Sequence, residues 1–306
     1  MAAHGKPAPP RGGRLSLMLE PWCYLSPALV LIVMVMVVPL FVGISYAFQD
    51  VQILKPFSRG WIGLEHFEKL LTGDKVFYRA LGNTAWWTIA SVTLQFAFGL
   101  GLALLLNRKF AGKRLVQAIV LLPWAVPTFL SGLTWAWLFN PVIGPLPHWF
   151  FALGLMKEPY SILGDPGLAM WGPIIANVWF GIPFFAITLL AALQAIPDEM
   201  YEAAAIDGAT DLQQFLHVTL PYLAPMIAIT VLLRTIWISN FADLIVVMTN
   251  GGPANTTQIL PSLIFTTAYK QLDFGYASAI ACVLLGLLFL YTAILFRLRR
   301  NMRSTT

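Results

Sequence analysis

The chain has 306 residues, of which 58% are hydrophobic and only 11% are charged, with a net charge of +5. Soluble domains keep roughly a quarter of their residues charged, so this composition excludes a water-covered globule and points to the bilayer as solvent. Two cysteines make neither a disulfide framework nor a metal site, and a basic excess beside apolar runs is an orientation signal rather than a nucleic-acid signal.

Residues 1–23 read as a cytoplasmic tail, rich in Pro and Gly between Gly5 and Pro10 and basic at Lys6, Arg11 and Arg14. Beyond it, charge and apolar sequence are segregated. An apolar helix needs about 20 residues to cross the hydrocarbon core, and lipid offers open backbone groups no partner. Six runs qualify, at about 24–48, 82–106, 115–139, 170–194, 223–249 and 277–296. They predict an all-α polytopic membrane protein, with one six-helix transmembrane domain over 24–306. The first run exceeds the roughly 7–15 residues of a signal-peptide core and lacks a clean cleavage pattern, so it is read as a retained span. Cys23 and Cys282 fall at or inside spans and read as small packing residues.

After span one, the 49–80 segment mixes Lys55, Arg59, Lys69, Lys75 and Arg79 with Asp50, Glu65, Glu68 and Asp74, and predicts a short amphipathic helix around Gly63–Leu71. Arg108, Lys109, Lys113 and Arg114 fill the 107–114 loop, and Arg297, Arg299, Arg300 and Arg303 follow span six. Together with the N-terminal segment, these stretches hold one acid, Glu20. The positive-inside bias places both termini and the 107–114 loop in the cytoplasm.

Polar groups inside spans are costly and so mark candidate function. In span three, Trp124, Thr128, Ser131 and Trp135 are spaced four, three and four apart and predict one helical face. Rings and hydroxyls suit a sugar, which offers C–H faces and hydroxyls; interfacial Trp and small helix-packing residues are the equal alternative. Span four carries Asn177 beside Phe180, as a solute contact or an interhelical bond. Span five carries Arg234, Asn240 and Asp243. Arg234 lies about 16 Å into the span, where a cation costs about 2.5–3.5 kcal/mol, so it needs a partner on another helix or a polar solute. Asn240 and Asp243 are expected on one face. Arg234 and Asp243, nine residues apart, do not pair unless the helix breaks.

The segment between spans four and five, 195–222, has no Lys or Arg but carries Asp198, Glu199, Glu202, Asp207 and Asp211. By span counting it is cytoplasmic against the charge rule, which points to docking. Pro197 suits a first helical position with acids behind it at the positive end of the dipole. Three alanines favour helix, Gly208 can end it in the left-handed region, and Thr210 with Gln213 forms a capping box for a second helix. The result is a stiff helix–corner–helix elbow. Elsewhere there is no phosphate-binding Gly-rich loop, metalloprotease helix motif, paired Cys or nucleophile elbow.

Glu202-Ala203-Ala204-Ala205-Ile206-Asp207-Gly208-Ala209, followed by Phe215 and Leu220-Pro221, resembles the EAA signature of ABC importer permeases. Trp61–Phe67, Leu122-Pro123, Trp137–Pro141, Phe241–Pro253 and Gly275–Ala279 extend the resemblance to the carbohydrate-uptake permeases, the class of the maltose and glycerol-phosphate systems. It implies a type I ABC importer permease fold in a bacterial inner membrane. The elbow would be the coupling helix that engages a cytoplasmic ATPase, through Glu202, Ala203, Ala204, Asp207, Gly208, Ala209, Phe215 and Pro221. It implies a second related permease, two ATPase subunits and an extracytoplasmic solute-binding protein as partners. ATP and Mg would be bound by the ATPase, with no cofactor, metal or catalytic residue on this chain. The expected solute is a sugar, with a polyol, glycerol phosphate or anionic sugar derivative as the alternative. An ion-gradient-driven secondary transporter would need buried acids in several spans, and only Asp243 qualifies.

Overall fold

The computed structural model describes residues 13–54, 57 and 60–303. The tail stretch Gly5–Pro10 and the basic residues Lys6, Arg11, Lys55 and Arg59 lie outside the described residues. The described residues begin with α1 (Gly13–Ile32), a π-turn at Val33–Val37 and α2 (Val38–Tyr46). The wide turn has a local cause: Pro39 lacks an N–H and its ring would clash with the carbonyl of Val35, so the ladder widens there. From Pro21 to Tyr46 no residue is buried.

Strands β1 (Gln49–Asp50) and β2 (Gly60–Trp61) pair antiparallel, and α3 (Glu65–Thr72) turns His66 and Leu70 inward, as the expected amphipathic helix. Asp74 then caps α4 (Lys75–Asn107), accepting from the Val76 and Phe77 amides. This cap starts the helix two turns before the apolar run at 82. Next come α5 (Lys113–Ala125), α6 (Thr128–Leu138), α7 (Pro145–Ala152) and α8 (Trp171–Leu193). The elbow holds α9 (Asp198–Ile206) and α10 (Asp211–Gln214). It runs through a π-turn at Phe215–Thr219, centred four residues before Pro221, into α11 (Leu220–Ser239). The described residues end with α12 (Asp243–Met248), α13 (Leu260–Phe265), a π-turn at Thr266–Lys270 and α14 (Phe274–Arg303).

Five of the described helical stretches are long and apolar enough to cross a membrane, and α5 with α6 makes a sixth if the bent pair is one span. Two expected spans are therefore not straight. Run 115–139 bends by 94° between α5 and α6, where Pro127 holds Val126 extended (φ −92°, ψ 125°). Run 223–249 breaks at Asn240–Ala242, between α11 and α12.

The interior is built on α4 against α8. Gly99 admits Phe185 and the α8 backbone, and Gly181 admits the amide of Gln95, where any methyl would overlap. Small residues let membrane helices approach this closely. Around this seam Trp87, Ile174, Leu189, Leu223 and Ile245 are buried. A second apolar cluster, with Leu70, Phe77, Tyr276 and Ile280, joins α3 and the start of α4 to α14.

Candidate functional site

A polar stripe on α4, Thr84, Thr88, Ser91 and Gln95, is buried. Its spacing of four, three and four puts it on one face toward α8 and α11. The Thr88 and Ser239 hydroxyls lie 3.2 Å apart, and Trp87 donates its indole N–H to the Ile238 carbonyl at 3.1 Å. Gln95 is the link. Its Nε2 donates to the Asn177 carbonyl at 2.8 Å, and its Oε1 accepts from Arg234 Nε at 2.7 Å. Arg234 is 4% exposed, and its guanidinium carbon sits 5.7 Å from the ring centroids of both Phe184 and Trp237, within cation–π range. Its charge is thus held by a neutral amide and two rings, and it makes no ion pair with Asp243.

Beside this relay lies a cavity of about 320 Å³. Five expected residues line it: Trp124, Thr128, Asn177, Phe180 and Arg234. Trp237, Ile238 and Phe241 complete the wall. The bend that separates α5 from α6 sets Trp124 and Thr128 on two helices rather than one face, yet both reach the cavity. Trp124 donates to the Phe180 carbonyl at 3.0 Å, and Phe180 stacks on Phe241 at 6.2 Å. Both polar atoms of the Asn177 amide are buried and find no hydrogen-bond partner among the described residues.

Four expected residues do not line the cavity. Ser131 is buried, its hydroxyl without a partner among the described residues, next to Gly132, where α6 packs closely on Val247 of α12. Trp135 packs on Phe139 and Trp179, with centroids 6.1 and 6.0 Å away. Asn240 is exposed, bonds back to the Ile236 carbonyl at 2.9 Å, and lines a separate apolar groove beside Leu40 and Leu285. Asp243 is exposed and accepts from the Thr128 hydroxyl at 2.9 Å, fastening α12 to α6 at the cavity rim. The break after Ser239 removes the expected common face of Asn240 and Asp243. Gln95, Trp237 and Phe241 were not expected; the Thr84–Gln95 stripe carries the signal for the first.

The elbow follows from its caps. Pro197 is the N-cap of α9, one position before the expected one. At the other end, Gly208 N donates to Ala205 O at 3.1 Å and Ala209 N to Ala204 O at 2.9 Å, with Gly208 at φ +79°. This is the paired-bond helix stop that needs a left-handed residue. The capping box of Thr210 with Gln213 is present. Tyr201 Oη and Thr219 Oγ1 meet at 3.0 Å and brace α9 on the foot of α11. Tyr201 and Ala204 pack on the core, whereas Glu202, Ala203, Asp207 and Gly208 are exposed. Ile206 is 86% exposed and Leu212 67%. Phe215 is half-buried where the π-turn begins, and Pro221 lies exposed in the first turn of α11.

Residues 95–304 match the family of binding-protein-dependent transport system inner membrane components. The chain belongs to this family. The permease is 37% identical to the trehalose/maltose transport system permease protein MalF of Thermococcus litoralis, over 82% of each chain. It is 32% identical to the sulfoquinovosyl glycerol transport system permease protein SmoG of Agrobacterium fabrum, over 90% of this chain and 89% of that one. It is 35% identical to the multiple sugar-binding transport system permease protein MsmF of Streptococcus mutans, over 86% and 89%. Its fold is shared with a bacterial alginate ABC transporter solved with a periplasmic protein bound to alginate pentasaccharide, at TM-score 0.81 and 22% identity over 94% and 98% of the two chains. The permease thus has the type I ABC importer fold. It is an inner-membrane component of an importer and not an enzyme; ATP hydrolysis belongs to a separate subunit.

Proposed function

We propose that this permease forms half of the translocation path for a sugar and is driven through its elbow by a cytoplasmic ATPase. Its relatives' names supply the solute class. The observation that carries the coupling role is the elbow itself. Its exposed face combines Glu202, Ala203, Asp207, Gly208 and Ile206 with no buried side chain in α9, while Tyr201 and Thr219 tie it to α11, the helix of Arg234. An isoleucine 86% exposed on a braced corner fits a docking knob better than a connector. A push on α9 would travel along α11 to the cavity wall at Arg234, Trp237 and Ile238.

In this reading both termini, the 107–114 loop and the elbow face the cytoplasm. A second permease covers the open side of the cavity, two ATPase subunits carry ATP and Mg, and a solute-binding protein delivers the sugar from outside; the chain itself holds no cofactor or metal. Trp124, Phe180 and Phe241 offer ring faces, and Asn177 and Thr128 offer hydrogen bonds. An anionic sugar derivative is the second reading, favoured by Arg234, whose only hydrogen-bond acceptor among the described residues is the neutral Gln95.

Glu202→Lys tests the coupling. It should leave the permease in the membrane, reduce co-purification of the ATPase and abolish uptake. Cysteines at Gly112 and Ala209 should be labelled only from the cytoplasm. Normal uptake by Glu202→Lys, or labelling of Ala209→Cys from outside, removes the coupling role.

A further inference from the structure

The cytoplasmic end of α5 carries a feature that neither the path nor the elbow uses. Arg108, Lys109, Lys113 and Arg114 cluster where α4 hands over to α5, and among the described residues none of their side chains makes a hydrogen bond or ion pair. Two of them, Lys113 and Arg114, line a cleft of about 730 Å³ with Gln117, Gln194 and Phe110. Directly along α5 a second trough of about 310 Å³ opens, walled by Ile119, Leu122, Leu102, Trp179 and Ile182. Leu115, Ile119 and Leu122 are 66%, 53% and 57% exposed. Their i, i+4, i+7 spacing sets them on one face. The surface is cationic at one end and apolar along its length. From Lys113 to Leu122 it runs about 14 Å at 1.5 Å per residue, roughly the depth of one hydrocarbon leaflet.

We propose that this surface is a binding site for an anionic phospholipid, with the headgroup phosphate over Lys113 and Arg114, the headgroup hydroxyls or ester oxygens at Gln117 and Gln194, and one acyl chain along Leu115, Ile119 and Leu122. A free phosphate would use the cations but leave the trough empty, and the pairing of a cationic cleft with an apolar trough on one helix matches the two-part chemistry of a phospholipid. The placement at the inner leaflet rests on the cytoplasmic assignment of the 107–114 loop proposed above. Basic pockets at that interface select anionic headgroups.

The test is a titration of the purified full-length permease, stripped of lipid in mild detergent, with phosphatidylglycerol and with phosphatidylcholine, read by native mass spectrometry. Phosphatidylglycerol should bind at least tenfold tighter, and inorganic phosphate should not displace it. The double variant Lys113→Gln/Arg114→Gln should bind it roughly thirtyfold more weakly, from about 1 kcal/mol per cation at 1.4 kcal/mol per tenfold. Ile119→Trp, which fills the trough and keeps both charges, should weaken both lipids. Equal binding of the two lipids, displacement by inorganic phosphate, or an equal loss in the control Arg297→Gln overturns the proposal. So does shielding of a cysteine at Gln117 only when the partner subunits are added, which makes the occupant a protein. The lipid titration does not depend on transport, and labelling of Gly112→Cys reports the sidedness separately, so failure of the site and failure of the importer reading are told apart.

Discussion

Replacing Gln95 by Leu isolates the bond that lets a cation sit inside the bundle. The change keeps the side-chain volume close to its original value but removes two bonds at once: the acceptor for Arg234 Nε at 2.7 Å and the donor to the Asn177 carbonyl at 2.8 Å. The second is an ordinary interhelical hydrogen bond, for which about 0.6 kcal/mol is typical in membranes. The first involves a charged donor and is worth roughly 1.5–3 kcal/mol, so Arg234 dominates the loss. We expect Gln95→Leu to destabilise the permease by about 2–3.5 kcal/mol, read from reversible unfolding of the purified chain in mixed micelles. Gln95→Glu keeps an acceptor for Arg234 and should retain most of that stability. The double variant Gln95→Leu/Arg234→Met removes the charge with its acceptor, and an apolar replacement of a buried polar pair is often close to neutral. It should therefore be more stable than Gln95→Leu alone, with a coupling of about 1–3 kcal/mol. A single variant within about 0.5 kcal/mol of the parent, or a strictly additive cycle, would refute the claim that Gln95 holds Arg234 in place.

Gly181→Ala should act on the same bond from the other side, because its methyl would occupy the space of the Gln95 amide; it should lower folded yield more than Gly286→Ala, where a methyl meets nothing within 4 Å. Gly208→Ala should strain the elbow by about 1 kcal/mol in the left-handed region and lower solute-stimulated ATPase in the assembled importer. Gly208→Asn, which tolerates that region, should keep most of it; identical losses would show that the conformation is not what matters. Thr128→Val removes the bond to Asp243 at the cavity rim, worth about 0.5–1.5 kcal/mol. It should raise the half-saturation concentration for uptake several-fold at unchanged yield, and an unchanged value would detach α6 from solute binding.

The features legible in the residues are those set by local chemistry. Apolar runs of bilayer length must become helices in lipid, so the spans follow from hydropathy alone. The elbow follows from short-range rules: acids in a first turn, three alanines, a glycine for the left-handed stop and a capping box, all of which act within about five residues. Helix α4 starts at Lys75, before the apolar run at 82, because the Asp74 side chain caps it there. The tertiary structure decided which proline breaks a helix. Pro123 and Pro183 sit inside α5 and α8, whereas the chain turns by 94° at Val126–Pro127. A proline's freed carbonyl can be satisfied by a neighbouring helix, so the outcome depends on what packs there as well as on the proline. The same holds for Arg234. Its position in span five demanded a partner, but the choice of Gln95, 139 positions away in sequence, required the α4–α8 seam to close over Gly99 and Gly181. That closure also brings Trp124, Asn177, Trp237 and Phe241, from three spans, around one cavity, while the break after Ser239 turns Asn240 away from it.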